Sequence, residues 1–114
     1  MTTTEKFYIH QTFRGITNIQ QTVSDMLNRL ITEAKNEGTE ENYTELVVHL
    51  FPVWTGIKMF VYYNQGNDTF DYFYKNQYGL DSDRFCCVTR EFMLAKILEE
   101  AKAVGGIRYI EIYL

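Results

Sequence analysis

Residues Tyr43–Lys75 read YTELVVHLFPVWTGIKMFVYYNQGNDTFDYFYK: three runs rich in aromatic and β-branched side chains, cut by Pro52, Gly56 and the polar cluster Asn64–Asp68. Such residues fit a pleated, half-buried surface, and Pro, Gly and Asn interrupt it, so the stretch predicts an antiparallel sheet. The predicted strands are Tyr43–Phe51, Ile57–Tyr63 and Thr69–Lys75. Alternation divides each in two. Leu46, Val48 and Leu50 share one side of the first, and Val47, His49 and Phe51 the other. In the second, Ile57, Met59, Val61 and Tyr63 oppose Lys58, Phe60 and Tyr62. In the third, Phe70, Tyr72 and Tyr74 oppose Asp71, Phe73 and Lys75.

Upstream, Lys6–Arg14 alternates as a strand, with Phe7, Ile9 and Phe13 against Tyr8, His10 and Thr12. A helix follows from Ile19 to about Asn36, its stripe of Ile19, Val23, Met26, Leu27, Leu30, Ile31 and Ala34 recurring at helical period. Asn18 and Gln21 have capping-box spacing, and Gly38 is the expected stop. Downstream, Arg84–Val88 is a short apolar run. Thr89 is placed to cap a second helix, with Phe92, Met93, Ile97, Leu98, Ala101 and Val104 inward and Gly105-Gly106 ending it. Ile107–Leu114 closes the series as a strand.

The order β-α-β-β-(β)-(β)-α-β predicts one α+β domain spanning residues 1–114. Without the bracketed strands it is the ferredoxin-like, split β-α-β order. Right-handed crossovers then put both helices on one face of a mostly antiparallel sheet. A chain of 114 residues buries roughly two-thirds of its extended-state surface, and 46% apolar residues supply the core.

The other face is expected to be aromatic: Tyr8, His10, Phe60 and Tyr62, flanked by His49 and by Tyr109, Glu111 and Tyr113. That much ring surface calls for a cover. The candidate covers are a second copy of the chain, a different protein, a small ligand or the bracketed strands themselves. These eight residues are the candidate partner-binding set. A histidine beside a carboxylate can transfer protons near neutral pH, but ordinary hydrogen-bonded histidines are the expected reading of His10 and His49.

Eleven basic against fifteen acidic residues leave a formal charge of −4. Such a chain does not attract nucleic acid or anionic lipid by its bulk field, and it can attract a basic partner. Acids concentrate in predicted loops, Glu37, Glu40, Glu41 and Glu45 in one and Asp68, Asp81 and Asp83 in others, which makes them candidate docking charges. The basic-aromatic runs of RNA-binding sheets are missing. Cys86 and Cys87 are adjacent, without metal or redox spacing, and on a strand point to opposite faces, one to the core. No cofactor, metal or catalytic signature is present, and no family motif is matched. The opening MTTTEKFYIHQ has no basic region ahead of an apolar run, so it does not read as a signal peptide, and no window is apolar enough for a membrane helix.

The expected function is that of a small, acidic, cytoplasmic protein-binding or inhibitory protein, homodimeric and without catalysis. In size and charge it is similar to phage and mobile-element regulators that block host factors. The alternative is a small-molecule-sensing domain with the aromatic sheet face as pocket wall.

Overall fold

Strands that alternate most clearly in β3 and β4 build a six-stranded sheet, and two stripes at period 3.6 build the helices that cover it. The computed structural model describes residues 4–8 (backbone only), 19–37, 44–50 and 56–113. The elements are β1 (Thr4–Tyr8), α1 (Ile19–Glu37), β2 (Glu45–Leu50), β3 (Lys58–Asn64), β4 (Thr69–Lys75), β5 (Phe85–Val88), α2 (Arg90–Val104) and β6 (Ile107–Tyr113). Residues 1–3, 9–18, 38–43, 51–55 and 114 lie outside the described set, and with them fall His10, Asn18, Glu40, Glu41 and Trp54.

The strands form one six-stranded sheet in the order β1-β6-β2-β3-β4-β5, every neighbouring pair antiparallel. This corrects the ferredoxin-like expectation. That arrangement places the first strand inside the sheet and the last at its edge; here β6 is inside, between β1 and β2, and β1 is the edge. Both orders are fully antiparallel and both allow two crossover helices, so alternation cannot separate them. Side-chain chemistry favours the observed one. Ile107, Ile110, Glu111 and Ile112 of β6 are all buried, as an inner strand requires. β1, with Glu5 and Lys6 in its five residues, suits an edge that must not recruit stray strands. The strands β4 and β5 continue the sheet beyond β3 rather than folding over it.

Both helices pack on the same face, as the crossover rule requires. Val23, Leu27 and Leu30 of α1 join Met93, Ile97 and Ala101 of α2 in one buried cluster with Leu46, Val48, Met59, Val61, Phe70, Ile110 and Ile112. Thr89 caps α2, its hydroxyl accepting from the Phe92 amide at 3.1 Å, and Gly105 ends it at φ 92°, its N–H donating to the Ala101 carbonyl. The inward assignment of Phe92 is corrected: it is 48% exposed. It lies in the first turn of α2, where Met93 is the side chain that reaches the core.

Candidate functional site

The helix-free face is assembled by register. Across β6 and β2, Glu45 lies opposite Tyr113, Val47 opposite Glu111 and His49 opposite Tyr109. Across β2 and β3, Val47 lies opposite Phe60 and His49 opposite Lys58. Across β3 and β4, Phe60 lies opposite Phe73 and Tyr62 opposite Asp71. Tyr8 occupies the position opposite Tyr109 on β1. Because β6 and β2 are adjacent, the two expected flanks meet at the centre of this face.

At that centre His49 Nε2 lies 2.5 Å from Glu111 Oε1, with both residues buried. A carboxylate only accepts, so Nε2 carries the proton and Nδ1 holds the lone pair. Burial lowers the His49 pKa from 6.5 and outweighs the attraction of Glu111, with Lys58 and Arg108 adding to the lowering. The imidazole is therefore neutral at pH 7. Tyr109 stacks on its ring, centroids 4.0 Å apart and planes 19° off parallel. The second Glu111 oxygen accepts from the Tyr113 hydroxyl at 3.1 Å. The group is a satisfied polar cluster beneath aromatic rings, which specifies register and orientation.

Toward β4 the face becomes a stack of rings. Phe60 and Phe73 lie 4.9 Å apart and nearly parallel, and Tyr62 stacks 6.1 Å from Phe73. Lys75 sits 5.5 Å above the Phe60 ring and Arg84 5.1 Å above that of Tyr62. Phe60, Tyr62, Phe73, Tyr109 and Tyr113 are all half-buried. Tyr62 donates to Glu45; burial and that bond both raise its pKa, so its hydroxyl stays protonated.

The acidic candidates are distributed. Glu45 is half-buried and accepts from Tyr62. Asp68, in the β3–β4 turn at φ 56°, accepts from Tyr63, whose pKa burial and this bond push up to about 12. Asp81 pairs with Lys75 at 3.5 Å. Asp83 is exposed, with no side-chain hydrogen bond or ion pair among the described residues. Asp68 and Asp81 lie beyond opposite ends of β4, whose seven residues span roughly 20 Å. Glu37 ends α1, and its side chain lies outside the described set.

Both cysteines are exposed, which corrects the expectation that one is core. Cys87 has φ 61° in a bulge where β5 slips against β4, and alternation stops there. Asp71 holds the bulge by accepting from the Cys87 amide at 3.1 Å, and it also pairs with Arg84 at 3.3 Å.

Sequence reasoning passed over Phe73, although the Asn64–Asp68 reversal and strict alternation already place it across from Phe60. Among the described residues no cluster of three His, Cys, Asp or Glu is placed to hold a metal ion, and no helix is long and apolar enough to cross a membrane. No protein-family model, curated protein or solved structure matches this chain.

Proposed function

We propose that the protein is a non-catalytic binding module that docks another protein, or a second copy of itself, through the helix-free face of its sheet. The carrying observation is the ring stack of Phe60, Phe73 and Tyr62, continued by Tyr109 and Tyr113. Five half-buried aromatics on one rigid sheet present large area at low entropic cost, and such residues concentrate interface energy once covered. Lys75 and Arg84 above the rings, with Glu45 and Asp71 nearby, supply polar contacts at the rim. Blocking a partner's own binding surface is the inhibitory action this mode supports. The pairing of His49 with Glu111 serves the face structurally, since both groups are buried and bonded to each other. Two exposed free thiols suit a reducing compartment such as the cytoplasm.

Sedimentation velocity at micromolar concentration, on the parent and on the double variant Phe60→Ser/Phe73→Ser, tests self-docking. Affinity capture with both proteins tests a foreign partner. The variant must keep the parent's circular dichroism spectrum. Loss of dimer or of captured protein in the variant supports the reading. A monomeric parent whose captured proteins are all retained by the folded variant overturns it.

A further inference from the structure

A pocket of about 510 Å³ lies on the opposite side of the molecule, between α2 and the β4–β5 connection. Its volume falls within the roughly 300–1,000 Å³ of small-molecule sites. Its floor is Tyr72, only 3% exposed. Phe85 stacks on Tyr72 with centroids 4.9 Å apart, and Tyr74 stands edge-on to both rings. Leu80, 66% exposed, and Phe85, 43% exposed, form an apolar rim.

The rim is pre-built. The Ser82 amide donates to the Tyr74 carbonyl at 2.8 Å, and the Tyr74 amide donates to the Ser82 hydroxyl at 2.8 Å. The Asn76 side chain accepts from the amides of Tyr78 and Leu80 at 2.9 and 3.1 Å. Gly79, at φ 77°, donates to the Asn76 carbonyl at 3.0 Å. This connection holds its shape while displaying Leu80 beside Phe85, so the pocket has an apolar rim already in place.

The charged groups that line the pocket balance: Lys75 pairs with Asp81, and Lys96 with Glu100 at 3.3 Å. An ionic ligand would therefore meet no net charge to offset its desolvation. Lys96 Nζ, 3.3 Å from Glu100, carries three donors on a rotatable head and lines the pocket, so it can turn one to an acceptor placed beside the rings. Tyr74 donates to Glu100 at 3.3 Å, and its oxygen can still accept.

We propose that this pocket is a binding site for a flat, uncharged aromatic compound carrying a hydroxyl or carbonyl oxygen, its ring against Phe85 and its oxygen on Lys96. The pocket shares Lys75 with the helix-free face but none of that face's rings, so a protein partner there and a ligand here can be tested separately. The probe is 2-naphthol, compared with decahydro-2-naphthol, which has the same skeleton and hydroxyl but no flat ring. Titrated into the ¹⁵N-labelled full chain, 2-naphthol should shift the amides of Tyr74, Leu80, Phe85 and Lys96 and leave those of Phe60 and Tyr109 in place. Decahydro-2-naphthol should bind more weakly. Phe85→Ala, at an exposed edge position, should weaken 2-naphthol about threefold to tenfold, as loss of one ring contact does. Lys96→Met should weaken it by a similar factor. Equal binding of the two probes would overturn the aromatic assignment, and shifts centred on Phe60 and Tyr109 would overturn the site.

Discussion

The two faces of this sheet are built from different materials. Away from the pocket beside β4 and β5, the helix-covered face is mainly aliphatic and closed: Val23, Leu27, Leu30, Leu46, Val48, Met59, Ile97, Ile110 and Ile112 are all inaccessible to water. The helix-free face has a buried hydrogen-bonded pair at its centre and half-buried rings around it. Close-packed aliphatic contacts supply stability without a preferred partner, whereas bonded polar groups and flat rings supply orientation and a surface to be met. The aliphatic core and the ring-bearing face proposed for docking are thus separated by the thickness of one sheet.

The largest effect that tests this separation is a cavity on the dry side. Leu30→Ala should cost about 2–5 kcal/mol in urea unfolding. Leu98 is only half-buried, so Leu98→Ala should cost nearer 1 kcal/mol. If the two variants lose equal stability, α2 is rotated relative to its described packing.

Next comes Glu111→Ala, which leaves His49 buried without its acceptor and should cost about 1–3 kcal/mol. An unchanged urea midpoint would mean that the pair contributes no specificity to the face.

The same pair gives a pH signature of defined sign. The folded pKa of His49 lies below its unfolded 6.5. Below pH 6.5 the unfolded chain takes up a proton that the folded chain refuses, so stability is full above 6.5 and falls as pH drops through the window beneath it. Replacing His49 with Gln should flatten that limb in urea midpoints measured between pH 8 and 5.5. An unaltered slope would assign the effect to other groups.

Smaller still, Phe73→Ala should cost about 0.5–1.5 kcal/mol, the worth of a ring contact, and Asp83→Asn should stay within about 0.5 kcal/mol. Phe73 sharpens the contrast if its loss affects binding more than folding.

Local rules were legible from the residues. Alternation located β2, β3, β4 and β6, and β5 was read only as an apolar run; the strand expected at Lys6–Arg14 begins earlier, as β1 at Thr4–Tyr8, and residues 9–14 lie outside the described set. Thr89 and Gly105 marked the ends of α2 because a hydroxyl cap and a left-handed glycine are local devices. The shared side of the helices followed from crossover handedness. Strand order was not legible, because an antiparallel pattern is unchanged when β1 and β6 trade edge for interior. Phe92 misled because the first turn of a helix is counted from its cap and not from its apolar content. The thiols misled because a bulge at Cys87 suspends alternation. The pocket was hidden because it depends on Ser82 returning to Tyr74, a contact that no periodicity announces. The helix-free face was read one residue at a time, yet its centre became visible only once β6 stood beside β2.

That position of β6 has a consequence for the order of assembly. The last of the six described strands fills the gap between β1 and β2, pairing Glu45 with Tyr113 and Tyr8 with Tyr109. While a ribosome is still adding α2, β1 has no sheet partner and β2 has one bare edge. The hairpins of β2, β3 and β4 can form early from neighbouring residues, but closure waits for contacts that are distant along the chain and slow to find. Until then the unfinished sheet offers unpaired N–H and C=O rows to any passing strand. Pulse-labelled hydrogen exchange should accordingly find the β3–β4 amides protected first and those of β1 and β6 last, with the nascent chain most prone to mispairing just before its final seven-residue strand emerges.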